Sequence, residues 1–140
     1  MEIDPYKASG RVKAWVQEIG EFQLKHFRGE DLGIQFKSSR DLVSRIDRES
    51  EVFLRKKIKE EFPEAAILGE ELEEEKKTKS PYQWIIDPLD GTHNYIQGLP
   101  VFAISIALTF KGTSILGVVY APYLHELYWA VRGKGAFLGD

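Results

Sequence analysis

From Phe102 to Phe110 the sequence alternates large apolar with small side chains: Phe-Ala-Ile-Ser-Ile-Ala-Leu-Thr-Phe. A period of two puts Phe102, Ile104, Ile106, Leu108 and Phe110 on one face and Ala103, Ser105, Ala107 and Thr109 on the other, which specifies a strand. Neither face carries a charge. Such a strand belongs inside a sheet and expects a packed layer on each side. The residues after it have the spacing of a meander. Lys111-Gly112-Thr113 turns the chain, Ile115 to Tyr120 returns, and Pro122 breaks the run. Glu126 to Val131 forms another strand, and Arg132-Gly133-Lys134-Gly135 turns again before Ala136-Phe137-Leu138.

The segments upstream read as helices. Asp4-Pro5 is a helix start, an Asp cap with Pro in the first turn. Val12, Trp15, Val16, Ile19, Phe22 and His26 form one apolar stripe, and Gly29 is a natural C-cap. Ile34-Gln35-Phe36 suggests a short strand, Lys37 to Asp41 a loop, and Leu42 to Ile46 a short apolar stretch. Asp47 reads as the N-cap of a second helix that ends near Phe62, with Leu54, Ile58 and Phe62 on one face. Glu51–Arg55 and Lys57–Glu61 have the i,i+4 spacing of solvated surface pairs, worth ~0.2–0.5 kcal/mol each. Ala65 to Leu68 is a short strand that ends in Gly69-Glu70-Glu71, and the charged run through Lys79 is a solvated loop. Gln83 to Ile86 is an apolar strand that runs into Asp87. Two helices followed by strands on short turns predict an α+β domain over residues 1–140, with both helices packed on a largely antiparallel sheet. The helices would supply one of the two layers.

Composition removes several functional classes. The chain has 140 residues and no cysteine, so disulfides, zinc–thiolate sites and thiol nucleophiles are excluded. Any metal must be held by oxygen or by the three histidines, and oxygen suits Mg²⁺ or Mn²⁺. A net charge of −3 argues against a nucleic-acid partner. The N-terminus has no basic and apolar leader pattern, and no window approaches ~18 apolar residues. No membrane partner and a cytoplasmic location are therefore expected. His26 and His125 stand in no ligand pattern and read as packing or surface residues.

The chemistry concentrates in Trp84 to Thr92. An apolar strand delivers Asp87, Pro88 fixes a turn, Asp90 follows, and Gly91-Thr92-His93 opens a short helical turn. With Glu70 and Glu71 at another strand end, four carboxylates would repel one another unless cations were present. The N–H groups of Gly91 and Thr92 at the start of that turn suit a phosphate. Together these features suggest metal-assisted phosphoryl hydrolysis. Taken singly, Asp-x-x-Asp-Gly also occurs as an ordinary turn and Gly-Glu-Glu as ordinary surface. A haloacid-dehalogenase-like phosphatase would need Asp-x-Asp and a following parallel α/β pattern, and neither is present.

Asp87-Pro88-Leu89-Asp90-Gly91-Thr92-His93-Asn94-Tyr95 resembles the signature of the inositol monophosphatase superfamily, which also holds fructose-1,6-bisphosphatases and 3′-phosphonucleotide phosphatases. The likeness extends upstream through Lys37-Ser38-Ser39, Asp41-Leu42-Val43, Asp47 and Leu68-Gly69-Glu70-Glu71. Downstream it runs through Gly98 to Phe102, Leu116 to Tyr120 and Gly133 to Phe137, in the family's order. The resemblance implies the N-terminal part of a layered αβαβα sugar-phosphatase fold. It implies that Glu70, Asp87 and the Leu89 carbonyl hold a first metal, and Asp87 and Asp90 a second. The substrate phosphate would rest on Gly91 and Thr92, while Asp47 and the Thr92 hydroxyl activate the attacking water with Glu70 as a further catalytic carboxylate. Lys37 matches a lysine on a mobile loop, and Glu71 would support the site from behind. The implied cofactor is Mg²⁺, as two or three ions, with Mn²⁺ or Ca²⁺ able to substitute. The implied substrate is a phosphate monoester, inositol-1-phosphate first and fructose-1,6-bisphosphate as the alternative, and the implied assembly is a homodimer. Family members are nearly twice as long and carry a second motif, Trp-Asp-x-Ala-(Ala/Gly)-Gly, that is not found before Asp140. The chain is thus expected to correspond to an N-terminal half, for which a non-catalytic half-domain is the competing reading.

Overall fold

The structure, a computed structural model, describes residues 2–28, 39–69 and 79–139. The elements are α1 (Pro5–His26), α2 (Ser39–Glu61), β1 (Ala66–Leu68), β2 (Tyr82–Asp90), α3 (Thr92–Gln97), β3 (Ala103–Phe110), β4 (Thr113–Ala121), β5 (Glu126–Val131) and β6 (Gly135–Leu138). Among the described residues, six strands form one sheet in chain order. β1 runs parallel to β2, and every other neighbouring pair is antiparallel. The fold is α+β, as the sequence predicts. Among the described residues, no helix is long and apolar enough to cross a membrane.

The alternation in β3 does what its pattern requires. Ile104, Ile106 and Leu108 join Trp84, Ile86, Leu116, Val118 and Trp129 on one face of the sheet. Val12, Trp15, Val16 and Ile19 of α1 and Leu54 and Ile58 of α2 pack into the same core. Burying a large apolar side chain contributes about 1.5–3 kcal/mol, so this layer dominates the stability. The opposite face carries Ile85, Val119, Tyr128 and Leu138, which are exposed. Ala107, Gly117, Ala130 and Ala136 stand opposite one another in successive strands of that face.

Asp4 caps α1 as expected, its Oδ1 accepting from the N–H groups of Tyr6 and Lys7. The helix stops at His26, before the predicted Gly29, because Phe27 leaves the helical conformation. Its ring packs on Tyr95 and Phe102. These two rings belong to a second, smaller core with Val43, Ile46 and Leu89.

That second core also corrects the start of α2. The helix begins at Ser39, so Asp47 lies inside it and does not cap it. Leu42 to Ile46 is the first part of the same helix, and Val43 and Ile46 extend the buried stripe of Ser50, Leu54 and Ile58. Packing of Val43 and Ile46 outweighs the polar run before them. The predicted loop over Lys37 to Asp41 is thus helical from Ser39 onward. The predicted Ile34–Phe36 strand lies outside the described residues, as does the charged run from Glu70 to Thr78.

Glu51 and Arg55 are not a solvated pair. Their side chains are 0% and 7% exposed, with Arg55 Nε donating to Glu51 Oε2 at 3.0 Å. The Glu51 carboxylate fits against Gly69, where an added Cβ would lie 2.6 Å from Oε1. Glu61 reaches across to Arg11 of α1 at 3.3 Å.

Candidate active site

β2 extends past the predicted Ile86 to Asp90. Its register with β3 is regular from Tyr82↔Phe110 to Asp87↔Ser105, and the next pair is Asp90↔Ala103. Three steps on β2 therefore match two on β3, a bulge with one extra residue. Pro88 stands in it, where a residue without an N–H costs no ladder hydrogen bond. Its carbonyl accepts from Gln23 Nε2 of α1 at 2.6 Å. The Leu89 side chain is 1% exposed and fills the second core. A buried leucine thus pins the middle of Asp87-Pro88-Leu89-Asp90 and leaves an aspartate on either side. Asp87 is half-buried with its Oδ1 inside, and Asp90 is exposed. Asp87 is in register with Ser105 and Val119, on the face turned away from the helical layer.

The chain then turns at Gly91, the N-cap of α3, with φ 91° and ψ 38°. A Cβ there would lie 2.8 Å from the Val101 oxygen and 3.3 Å from Phe102 Cα. Only glycine combines that left-handed backbone with that approach. Thr92 begins α3 and is partly exposed, beside exposed His93. Asn94 Nδ2 donates to the Val101 carbonyl at 2.8 Å and ties the loop after α3 back onto it. Buried Tyr95 donates its hydroxyl to the Gln23 carbonyl at 2.8 Å. Burial pushes that hydroxyl well above the usual tyrosine range, so it remains a neutral donor. A pocket of about 320 Å³ opens here, lined by Asp90, Gly91, Asn94, Val101, Phe102 and Ala103, with Ala121 at the end of β4 and Leu124 beyond it.

Of the residues singled out in the sequence, Asp87, Leu89, Asp90, Gly91 and Thr92 lie on one continuous segment, from the end of β2 through the Gly91 turn into α3. Asp47 is 2% exposed on α2, next to Ile46, whose side chain packs in one core with Leu89. Lys37, Glu70 and Glu71 lie outside the described residues. Asp87, Asp90 and the Leu89 carbonyl are all oxygen donors and in kind fit a hard cation. Among the described residues, no group of three histidine, aspartate or glutamate side chains stands together as a metal site. The turn therefore offers part of a coordination sphere, and Glu70 is the predicted donor not described. Sequence reasoning missed Gln23 and Ser50, and it named Tyr95 only as the aromatic of the signature, with no role. Gln23 is a polar residue on the apolar stripe of α1, four positions after Ile19, and that is the one signal that could have drawn notice.

The chain is similar to known proteins along most of its length. An inositol-1-monophosphatase of Rhizobium meliloti (strain 1021) is 42% identical over 128 residues, which cover 91% of this chain and 46% of the relative. A protein named Nus factor SuhB, from Pasteurella multocida (strain Pm70), is 44% identical over 113 residues, covering 81% and 42%. The crystal structure of extragenic suppressor protein suhB from Bartonella henselae superposes with a TM-score of 0.82 at 34% identity, covering 96% of this chain and 52% of that one. The chain thus spans less than half the length of these two curated relatives. The profile of the inositol monophosphatase family matches residues 9–140, taking in the Gly91 turn, both aspartates beside it and buried Asp47, and the chain belongs to that family.

Proposed function

We propose that the protein hydrolyses phosphate monoesters with Mg²⁺, inositol-1-phosphate first among them, with fructose-1,6-bisphosphate as the alternative substrate. The observation that carries this reading is the β2 bulge, which sets Asp87 and Asp90 on either side of buried Leu89 and leads directly into the Gly91 turn. Asp87, Asp90, the Leu89 carbonyl and Glu70 would hold two or three Mg²⁺ ions, or Mn²⁺ or Ca²⁺ in their place. When bound, such an ion supplies positive charge to phosphoryl oxygens and lowers the pKa of a coordinated water.

The chain's own residues would do the rest. The N–H groups of Gly91 and Thr92 would hold the phosphate, because the left-handed turn leaves no side chain in their way. Asp47 lies inside α2, 2% exposed, and does not cap the helix. Asp47 and the Thr92 hydroxyl would orient the attacking water and accept its proton. Lys37 would approach from its loop. A homodimer and a cytoplasmic setting belong to the same proposal.

The test is phosphate release from inositol-1-phosphate and from fructose-1,6-bisphosphate, with Mg²⁺ and with a chelator. Mg²⁺-dependent release, abolished by Asp47→Asn, supports the proposal, and the faster substrate names the specificity. Cation binding without turnover of either substrate would favour the second reading, a non-catalytic binding module, for which the relative named Nus factor SuhB is a precedent in name.

A further inference from the structure

We propose that Gln23 is a positioning residue for the Asp87–Asp90 pair: its side-chain amide holds the Pro88 carbonyl and so sets how the two carboxylates stand relative to one another. This rests on the reading of those aspartates as metal ligands. Gln23 is fully buried on α1. Its Nε2 donates to the Pro88 oxygen at 2.6 Å and to Ser50 Oγ at 3.3 Å. Ser50 gives its own proton to the Ile46 carbonyl at 2.7 Å, so its oxygen faces Gln23 as an acceptor. Both acceptors therefore demand the nitrogen of the amide on that side.

Among the described residues, the remaining amide oxygen, Oε1, is buried and has no hydrogen-bond partner. A buried acceptor left unsatisfied is costly, and an apolar side chain of the same length would avoid that cost. Core packing alone thus argues against glutamine here. What glutamine provides is the donor to Pro88. That carbonyl lies in the bulge, between the last regular pair, Asp87↔Ser105, and the next, Asp90↔Ala103. Gln23 supplies an N–H to it from outside the sheet.

The same residue also grips the far side of the phosphate cradle, since its backbone carbonyl accepts the Tyr95 hydroxyl at 2.8 Å. Asp87, Asp90 and the Gly91 turn thus lie along a segment that one residue of α1 holds at Pro88 and at Tyr95. Partners that orient metal ligands without touching the metal typically change metal affinity by roughly 10–100-fold when removed.

Gln23→Met keeps the length and apolar contacts of the side chain and removes the donor. The measurements are amide hydrogen exchange at Leu89, Asp90 and Gly91, Mn²⁺ affinity by calorimetry, and the melting temperature. The expected result is exchange at these three amides faster by about tenfold, with Ile106 and Val118 unchanged, and Mn²⁺ affinity lower by about tenfold. Unchanged exchange at the three amides, or a uniform rise across the sheet, would make Gln23 a packing residue and overturn the proposal. So would local loosening with an unchanged Mn²⁺ affinity. If Mn²⁺ binds neither protein while the local loosening appears, the clamp on Pro88 is supported and the metal reading fails. Should Gln23→Met not fold, the unmutated protein decides: a scalar coupling across the hydrogen bond from Gln23 Nε2 to the Pro88 carbonyl carbon is expected, and its absence would overturn the clamp.

Discussion

Gly91→Ala puts a number on the turn that separates the aspartates from α3. Gly91 holds φ 91°, where an L residue costs about 1–2 kcal/mol. The added Cβ would meet the Val101 oxygen at 2.8 Å and Phe102 Cα at 3.3 Å. Both are backbone atoms and cannot rotate aside, so the segment at Val101 must shift. The same Val101 oxygen accepts the Asn94 side-chain bond, and weakening it costs about 1 kcal/mol more. The loss is then about 2–3 kcal/mol, which for a domain of this size lowers the melting temperature by roughly 6–12 °C. Gly10→Ala is the matched control. Gly10 lies within α1, a Cβ there meets nothing within 4 Å, and alanine gains about 1 kcal/mol of helix propensity. Scanning calorimetry of both variants checks the pair. If Gly10→Ala melts higher as expected and Gly91→Ala melts within ~2 °C of the parent, the close-approach argument is wrong.

Asp87→Asn should leave the melting temperature close to the parent's and lower Mg²⁺-dependent phosphate release by orders of magnitude; retained release with the same Mg²⁺ dependence would remove Asp87 from the site. Arg55→Met leaves the Glu51 carboxylate without its guanidinium in a fully buried place, and urea unfolding should register a loss of about 3–5 kcal/mol, part of it recovered by adding Glu51→Gln. Burial first, and then the charge of Arg45, hold His26 below the usual histidine range. Its contribution to stability is therefore complete above the ordinary histidine pKa and is lost as pH falls through the lowered value. His26→Gln should reduce the drop in melting temperature between about pH 7.5 and about pH 5.5, and an unchanged drop would show that His26 is not linked to folding.

The regular elements were legible because periodicity reports burial directly. The stripe of α1 and the alternation of β3 each name the face that packs. The start of α2 was not legible, because Asp47 before a charged helical run has the local signature of a cap. Only the contact of Val43 and Ile46 with Phe27 and Leu89 shows that the helix is already under way. The i,i+4 rule identified Glu51 and Arg55 as partners and was silent on depth, which Gly69 decides by admitting the carboxylate. Within the candidate site, the Asp87–Thr92 run could be read as chemistry because its residue types are so restricted. That Asp90 still belongs to a strand could not, since Pro88 reads as a stop until the bulge is seen. Nor does any local rule connect Gln23 with Pro88, which lies 65 positions away.

The order of the sheet has a consequence for how the chain is made. Strands β2 to β6 pair in sequence, and the connections from β3 onward are two to four residues long. Neighbouring strands of that kind close with little loop entropy, and hairpins form in about 1–10 μs. Helices α1 and α2 come before the strands they pack on. The α1 stripe needs Ile104, Val118 and Trp129, and Ile3 reaches Tyr82 across 79 positions. At ~5–20 residues per second, roughly 100 more residues must emerge from the ribosome after α1 before that surface is complete, a wait of about 5–20 s. During that interval Val12, Trp15, Val16 and Ile19 are an apolar stripe on a nascent helix, open to whatever chaperone binds such stripes.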